Sequence, residues 1–343
     1  MILVTGGTGY IGSHTSVELL EQGYEVLIAD NLSNSYRDVV DRIREITGKS
    51  PVFEEVDLSD REQTNRLFEK YPDIDSIIHF AASKAVGESV EKPLLYYRNN
   101  LDSLINLLEN SIKSGITNFV FSSSCTVYGE PDSLPVSEES PIKKANSPYG
   151  NTKQISEEIL EDTTYINPEL KVISLRYFNP IGAHPSAKIG ELPIGIPNNL
   201  VPFITQTAYG IREELKVFGD DYNTPDGSAI RDYINVVDLS KAHVVAIKRL
   251  LGNRQKKNFE VFNLGTGRGN SVLEVITVFE KATGLKINYR IVGRREGDIE
   301  KVYADTRYAN EELGWVAESS LDKTLLSAWN WEKNYRDNIL KNK

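Results

Sequence analysis

Apolar strand segments alternate with amphipathic helical segments through the first half of the 343-residue chain. Runs such as "ILVTGG", "EVLIAD" and "SIIHFAA" are each followed by a stretch with helical spacing, for example "SHTSVELLEQG". Strands that read as continuous apolar runs, separated by helices, are typical of a parallel sheet covered on both faces. The pattern therefore predicts an α/β fold built on a doubly wound parallel sheet.

The rhythm of the sequence changes after Asn179. Residues 180–230 are rich in Pro, Gly and Asn, and helices and short strands are mixed from there to the end. We therefore predict that residues 1–179 form the doubly wound domain. Residues 180–343 are expected to form mainly a smaller C-terminal α/β lobe that binds substrate, although some segments are expected to cross back.

Composition excludes several classes of protein. The net charge of −10 argues against a nucleic-acid partner, so an anionic ligand would need local positive charge. The single cysteine, Cys125, cannot form an intramolecular disulfide, and the four histidines lack metal-ligand spacing. No apolar run approaches ~18 residues and "MILVTGG" does not resemble a signal peptide. We expect a cytoplasmic protein with no metal and no membrane segment.

The segment "VTGGTGYIG" places Gly7, Gly9 and Gly12 in the G-x-G-x-x-G spacing, and Gly6 lies in the same loop. The motif follows a predicted strand and opens a predicted helix, which is the context that its mechanism requires. Glycines let the backbone approach a pyrophosphate, and the helix N-terminus favours the negative charge. The loop therefore predicts a dinucleotide site of the Rossmann type.

Two acidic residues follow the next strands of this domain. Asp30 ends the second strand about 20 residues after the glycines, where a carboxylate can bond the adenosine ribose. A carboxylate at that place repels a 2′-phosphate, so NAD is favoured over NADP. Asp57 ends the third strand, within reach of an adenine edge. Either residue alone could equally cap a helix, and only the glycine loop favours the binding role.

The segment "SPYGNTK" predicts a helix with Ser147 as N-cap and Pro148 as first residue. Tyr149 and Lys153 then lie four residues apart on one face. Free tyrosine, with a pKa of about 10, is a poor base at neutral pH. A nearby ammonium, a helix N-terminus and an oxidised nicotinamide would all favour the phenolate. The alternative is an ordinary surface tyrosine and lysine.

Taken together, the glycine loop, the strand end "FSSSC" and the Y-x-x-x-K spacing resemble the extended short-chain dehydrogenase/reductase family. The resemblance implies that Ser124, Tyr149 and Lys153 act together beside the nicotinamide. Ser124 would hydrogen-bond the reacting sugar hydroxyl and Tyr149 would act as the base. Lys153 would hold the nicotinamide ribose and lower the pKa of Tyr149.

Longer segments resemble the UDP-glucose 4-epimerase branch of that family, among them "AVGESVEKPLLYYRNN", "RYFNPIGAHPS", "GIPNNLVPFI" and "RDYINVVDL". The resemblance implies epimerisation at C4 of UDP-hexoses: NAD takes a hydride from C4 and returns it to the other face of a transient 4-keto sugar. It also implies a homodimer through helices around residues 93–115 and 148–166. Cys125 departs from the expected small residue, and we assign it no chemistry.

The same resemblance distributes the binding roles. Arg231 and Arg295 would bind the diphosphate, and Asp298 would accept from the uridine ribose, although any single arginine could instead form an ion pair. The implied cofactor contacts are Gly6, Gly7, Gly9, Tyr10, Ile11, Gly12, Asp30, Asn31, Ser35, Asp57, Leu58, Phe80, Lys84, Asn99 and Phe178. The implied substrate contacts are Asn179, Asn199, Leu200, Lys216, Val217, Phe218, Arg231, Arg295, Asp298 and Val302. Lys216 to Phe218 would line the uracil pocket.

Val302 is the residue on which the predicted sugar range depends. Epimerases of this kind often carry a tyrosine there, and a smaller side chain would leave room for an N-acetyl group. The alternative is that Tyr303 swings in and restores the block. His79 is interpreted as a core histidine.

Two rival functions remain. One is a sugar-nucleotide 4,6-dehydratase, which would need an acid and a base at the positions of Cys125 and Thr126. The other is an NAD-sensing binding module without catalysis, which need not keep Ser124, Tyr149 and Lys153 together.

Overall fold

The computed structural model describes residues 1–295 and 298–342. The strands are β1 Ile2–Thr5, β2 Val26–Asp30, β3 Val52–Glu55, β4 Ser76–His79, β5 Asn118–Ser124, β6 Lys171–Tyr177, β7 Asn179–Ile181, β8 Leu215–Phe218, β9 Ile230–Asn235, β10 Phe259–Leu264, β11 Gly269–Ser271, β12 Tyr289–Val292 and β13 Lys301–Val302. The helices are α1 Tyr10–Glu21, α2 Asp38–Thr47, α3 Arg61–Lys70, α4 Val86–Glu91, α5 Pro93–Tyr97, α6 Ser103–Ser114, α7 Pro148–Ile166, α8 Leu200–Tyr209, α9 Val236–Leu251, α10 Val272–Thr283 and α11 Leu321–Asn334.

Seven strands form one parallel sheet in the order β10-β6-β5-β4-β1-β2-β3. This confirms the predicted doubly wound sheet. The chain builds outward from β1 in one direction through β2 and β3, and in the other direction through β4, β5 and β6. The order reverses between β1 and β4, and ligands of such sheets bind beyond the carboxyl ends of the strands at that reversal.

Both faces of the large sheet are covered, as the continuous apolar runs predicted. On β1, Ile2 and Val4 enter the apolar cluster that also contains residues of α1, α2 and α9, whereas Leu3 enters the cluster formed with α3, α6 and α7. Successive side chains of a strand point to opposite faces, so an apolar residue is needed at every position. The sheet is thereby held as a rigid layer, and its carboxyl edge is a fixed platform for the site.

A second group of strands lies after residue 179. β9 pairs with β7, β11 and β13, and β8 pairs with β12. Helices α8, α10 and α11 pack on them around a separate apolar core. However, β10 joins the large sheet beside β6, and α9 packs against α1. Two elements from the C-terminal half thus lie in the layers of the first domain; the division at residue 179 stays a prediction.

Within the described ranges, no helix combines the length and the apolar character needed to cross a membrane.

Candidate active site

The predicted glycine loop joins β1 to α1 at the point where the strand order reverses. Gly6 has φ +66°, a conformation that other residues rarely adopt. A Cβ on Gly12 would lie 2.3 Å from the Gly6 carbonyl oxygen, so only glycine lets the helix start this close to the loop. Tyr10 and Ile11 form the first turn of α1. The bare backbone and the helix N-terminus together fit the pyrophosphate of a dinucleotide.

Asp30 is held at the end of β2 by surrounding donors. The Thr8 amide and the Leu32 amide donate to its two carboxylate oxygens at 3.2 and 2.9 Å, and the Ser35 hydroxyl donates at 3.0 Å. Asn31, the next residue, caps its own turn by accepting from the amide and hydroxyl of Ser33. The carboxylate therefore lies beside the glycine loop in a fixed orientation, and it caps no helix.

The other predicted cofactor residues lie after the carboxyl ends of neighbouring strands. Asp57 and Leu58 follow β3, Phe80 and Lys84 follow β4, and Phe178 follows β6. Asn99 lies in a π-helical turn over residues 98–102 and donates to the Ser83 hydroxyl at 3.1 Å. Parallel strands bring the positions after β3, β4 and β6 to one edge of the sheet, and the bond to Ser83 holds Asn99 beside the end of β4. The structure therefore brings the predicted cofactor residues together.

The predicted catalytic residues meet where α7 begins beside the end of β5. Ser147 caps α7 by accepting from the Gly150 amide at 3.1 Å, and Pro148 is the first helical residue, as predicted. A Cβ on Gly150 would lie 3.3 Å from the carbonyl oxygen of Thr126, so the glycine permits close approach of the turn that follows β5. The phenol of Tyr149 consequently reaches the hydroxyl of Ser124 and forms a hydrogen bond with it.

Lys153 is buried, with 4% of its surface exposed, one turn after Tyr149. Its ammonium group donates to the Ser122 carbonyl at 2.6 Å and lies 4.7 Å from the centre of the Phe121 ring. Burial lowers the pKa of Lys153 to about 8, and the Glu157 carboxylate one turn further along opposes that effect. The lysine is therefore held against β5 by the strand backbone.

The expected low pKa of Tyr149 does not occur in the protein by itself. Burial raises the pKa of the phenol to about 12, and the hydrogen bond from Ser124 only partly offsets this. The reason is that removal from water penalises the phenolate more than the Ser124 hydroxyl stabilises it. A proton-accepting tyrosine here would need the positive charge of an oxidised nicotinamide as well.

On the substrate side, two arginines share one carboxylate. Arg231 on β9 donates to Asp298 Oδ1 at 2.8 Å, and Arg295 donates to the same oxygen at 3.3 Å. Arg231 is largely buried, whereas Arg295 is more than half exposed and lies over the Phe218 ring at 5.8 Å. The two guanidinium groups and the Asp298 carboxylate together carry one net positive charge, which matches an anionic ligand in an acidic protein.

A second charged cluster joins the two sides of the site. Glu191 accepts from the Asn199 amide nitrogen at 2.6 Å, and the Lys84 ammonium lies 3.6 Å from the same carboxylate oxygen. Lys84 was predicted on the cofactor side and Asn199 on the substrate side. Sequence reasoning missed Glu191, because a lone acid in a segment rich in Pro and Gly gives no spacing signal.

The remaining predicted substrate residues are less closely grouped. Asn179 begins β7, and Leu200 begins α8 beside Asn199. On β8 the side chains alternate: Lys216 and Phe218 are exposed, but Val217 is buried in the core of the smaller lobe. A uracil pocket at this strand would therefore be lined by the flanking side chains and by the backbone of Val217.

Val302 lies on β13 directly opposite Arg231 of β9. It is 5% exposed and packs in an apolar cluster with Phe178, Tyr128 and Ala304, which Cys125 also contacts. Because Cys125 follows Ser124, this cluster borders the catalytic residues. Burial raises the pKa of the Cys125 thiol to about 12, which agrees with assigning it no chemistry.

His79 is confirmed as a core histidine. Its Nδ1 lies 2.7 Å from the hydroxyl oxygen of Thr5, and burial lowers its pKa to about 3, so the ring is neutral.

Comparison with known proteins places this geometry in a family. Residues 3–327 match a family model described as GDP-mannose 4,6 dehydratase. A UDP-glucose 4-epimerase of Bacillus subtilis is 50% identical over 333 residues, covering 97% of each chain. The chain belongs to the UDP-glucose 4-epimerase family.

Solved structures agree with this family assignment. An epimerase from Stenotrophomonas maltophila, solved with bound NAD and formylated UDP-arabinopyranose, has a TM-score of 0.94 and 47% identity over 98% of both chains. A UDP-Glc/GlcNAc 4-epimerase from Campylobacter jejuni has a TM-score of 0.83 and 39% identity, covering 97% of this chain and 99% of that one. Epimerase-family members thus share both the sheet and the smaller lobe of this chain.

Proposed function

We propose that the protein interconverts UDP-galactose and UDP-glucose by NAD-dependent epimerisation at C4. The observation that carries the proposal is the junction of α7 with β5, where Ser124, Tyr149 and Lys153 lie together at the carboxyl edge of the dinucleotide-type sheet. The relatives named as epimerases, and the neighbour solved with NAD and a UDP-sugar, support the same reaction.

The chain's own residues supply the proton chemistry. Bound NAD would take the hydride from C4 and return it, leaving the cofactor unchanged after each cycle. Tyr149 accepts the proton of the C4 hydroxyl while Ser124 hydrogen-bonds the same oxygen. Lys153, held at the Ser122 carbonyl one helical turn after Tyr149, would hold the nicotinamide ribose. The 4-keto sugar would rotate within the site and present its other face to the cofactor. Tyr149 then returns the proton to the new C4 hydroxyl.

The binding residues divide the ligands between the two sides. The glycine loop and Asp30 would hold the cofactor pyrophosphate and adenosine ribose, and the carboxylate favours NAD over NADP. Arg231 and Arg295 would bind the substrate diphosphate in place of Asp298 Oδ1. A firmly held nucleotide with a hexose free to turn allows hydride return to either face.

The deciding experiment is conversion of UDP-galactose by purified protein without added cofactor, followed by denaturation and analysis of released nucleotide. We expect UDP-glucose to form and one nicotinamide cofactor to be released per site. Dependence of activity on external NAD, with no nucleotide released, would contradict the closed redox cycle. No conversion under any condition would contradict the function itself.

The dehydratase alternative is weaker on structural grounds, despite the description of the matching family model. Elimination of water needs an acid and a base directly after Ser124, and those positions hold Cys125 and Thr126. Because burial raises the pKa of the Cys125 thiol to about 12, it is a poor proton carrier at neutral pH. Formation of a 4-keto-6-deoxy sugar in the same assay would favour the alternative.

The small side chain of Val302 supports a wider sugar range that includes UDP-GlcNAc and UDP-GalNAc. Tyr303, which follows β13, does not replace the missing bulk, because Val302 and Ala304 pack in one apolar cluster whereas the Tyr303 ring lies beside Gly269. A valine is smaller than a tyrosine by about the size of an acetamido group, so we expect the hexose site of this chain to accept one.

Conversion of UDP-GlcNAc by the wild type and by Val302→Tyr tests this range. We expect wild-type conversion and a loss of about tenfold or more in the variant, with UDP-galactose turnover retained. A wild type that ignores UDP-GlcNAc, or a variant that converts it equally well, would exclude Val302 as the determinant.

A homodimer is proposed from an exposed apolar surface on helices α5, α6 and α7. Leu94 is 80% exposed and Tyr165 is 85% exposed, and other apolar side chains of this surface are Leu95, Ile105, Ile112 and Ile166. Apolar surface of this kind is typical of subunit contacts. Leu94→Glu should convert a dimer to monomer in sedimentation equilibrium, and a monomeric wild type would refute the proposal.

We also propose a cytoplasmic location, because a chain with one cysteine gains nothing from an oxidising compartment. Cell fractionation with an antibody to the chain would test it.

A further inference from the structure

Asp232, the residue after Arg231 on β9, is fully buried and accepts four hydrogen bonds. The amide and the hydroxyl of Thr266 donate to Oδ1 at 2.8 and 2.7 Å. The amides of Gly267 and Ala304 donate to Oδ2 at 3.1 and 3.2 Å. None of these donors lies on β9, so the carboxylate connects separate parts of the chain.

The four donors come from two segments. Thr266 and Gly267 belong to the turn that follows β10, one of the two edge strands of the large sheet. Ala304 lies two residues after Val302, just beyond β13. The turn approaches so closely that a Cβ on Gly265 would lie 2.4 Å from Asp232 Oδ2. One carboxylate thus ties the large sheet, the strand of Arg231 and the segment of Val302 together.

The segment tied by Ala304 borders the predicted hexose space. Val302 and Ala304 pack in the apolar cluster that Cys125 contacts, and Cys125 follows Ser124. The same segment also supports the loop that leads to α7, since the Val136 amide donates to the Tyr303 carbonyl at 2.9 Å. A shift of this segment would therefore change the space opposite the catalytic residues.

We propose that Asp232 is a positioning residue for the hexose, acting through the segment of Val302 and Ala304 without touching substrate or cofactor. The inference rests on the epimerase function proposed above, and it adds a residue to which that function assigns no role.

The chemistry of the site requires a carboxylate. Four donors converge on two oxygens, and only an ionised carboxylate accepts at both. Burial raises the pKa of Asp232, whereas the donors from Thr266, Ala304 and Gly267 oppose that effect. In Asp232→Asn the NH₂ group would face N–H donors at one of the two positions, leaving buried groups without partners. We expect the segment around Ala304 to move.

The test measures UDP-galactose turnover and UDP binding separately, in the purified holoenzyme. UDP has no hexose, so its dissociation constant should change by less than about threefold in Asp232→Asn. The kcat for UDP-galactose should fall by about tenfold to a hundredfold, which is the usual cost of a displacement of about 1 Å.

Asp238→Asn is the matched control. Asp238 is 3% exposed, and its carboxylate accepts from the backbone amides of Glu318 and Ser319 at 3.1 and 2.8 Å. It ties α9 to a segment outside the hexose site. The control makes the same change at another buried carboxylate, and it should keep its kcat within about twofold, as expected for a residue with only a structural role.

The outcomes separate the two proposals. An inactive wild type would refute the epimerase function. An active wild type whose Asp232→Asn variant keeps its kcat, or loses UDP binding as much as turnover, would overturn the inference alone. If Asp232→Asn fails to fold, Thr266→Val decides, because it removes one donor and keeps the backbone. We expect its kcat to fall by about threefold with UDP binding retained, because one donor to the carboxylate is lost while the three backbone donors remain. An unchanged kcat would overturn the inference.

Discussion

On the cofactor side of the site, polar groups are held by the backbone and hydroxyl groups of the sheet edge, whereas on the substrate side charged groups are held by one another. Asp30 receives bonds from Thr8, Leu32 and Ser35, all of them next to it in the fold. Arg231 and Arg295 both bond Asp298 instead. The first arrangement is ready for its ligand, and the second must exchange internal bonds for ligand bonds.

This difference fits the turnover expected of an epimerase. A preorganised site loses little free energy in reorganisation and therefore binds tightly. A site whose arginines already have a carboxylate partner binds more weakly, because each ligand contact replaces an existing ion pair. The cofactor can then remain bound through many cycles, while the UDP-sugar leaves after each one.

The largest expected effect lies between the two sides, at Tyr149. Tyr149→Phe should reduce UDP-galactose turnover by about a thousandfold or more while NAD content stays unchanged, because the variant lacks only the group that takes the C4 proton. Steady-state kinetics and cofactor release measure both quantities. Tyr289→Phe, at an exposed tyrosine of β12, is the control. Turnover close to wild type would remove Tyr149 from the role of base.

Lys153, on the cofactor side of the site, should make the free energy of unfolding depend on pH. Its pKa is lowered to about 8 in the folded protein, so between about pH 8 and 10.5 the unfolded chain binds more protons than the folded one. In cofactor-stripped protein, wild-type unfolding free energy should therefore rise with pH across this window relative to Lys153→Met. The expected rise is up to about 3 kcal/mol. The unfolding free energies of both proteins are measured by urea unfolding at several pH values. If the difference between them does not change with pH, Lys153 keeps an ordinary pKa.

Gly12→Ala tests how finely the cofactor side is built. The new Cβ would lie 2.3 Å from the Gly6 carbonyl oxygen, so the loop must shift by an amount that costs about 1–3 kcal/mol. We expect NAD affinity to fall by about tenfold or more, measured by cofactor retention and by calorimetry. Gly87→Ala, where a Cβ meets no atom within 4 Å, is the control. Full retention in Gly12→Ala would mean that the loop adapts and that the two sides differ less than proposed.

The smallest effect is expected at Arg231, on the substrate side. Arg231→Lys loses the planar fork that suits a diphosphate, so the KM for UDP-galactose should rise by about tenfold while NAD content is unchanged. Arg290→Lys, which alters an exposed ion pair with Glu214, should leave the KM within about twofold. A simultaneous loss of NAD from Arg231→Lys would show that the two sides are not independent.

Local features of the chain could be predicted because they depend on near neighbours in sequence. The doubly wound sheet followed from apolar periodicity, and the start of α7 followed from Ser147 and Pro148, whose effects act within one turn. Each of these inferences needs only the backbone within a few residues.

The sequence by itself thus determined the sheet, the glycine loop, and the shared face of Tyr149 and Lys153. Only the tertiary structure decided that Asp298 serves two arginines, that Glu191 joins Lys84 to Asn199, and that burial outweighs hydrogen bonding in setting the pKa of Tyr149. The physical reason is that partners and burial depend on segments far apart in the chain. The spacing of residues along the sequence shows which face of a helix or strand a side chain occupies. Which charged groups lie opposite that side chain depends on how the two lobes pack.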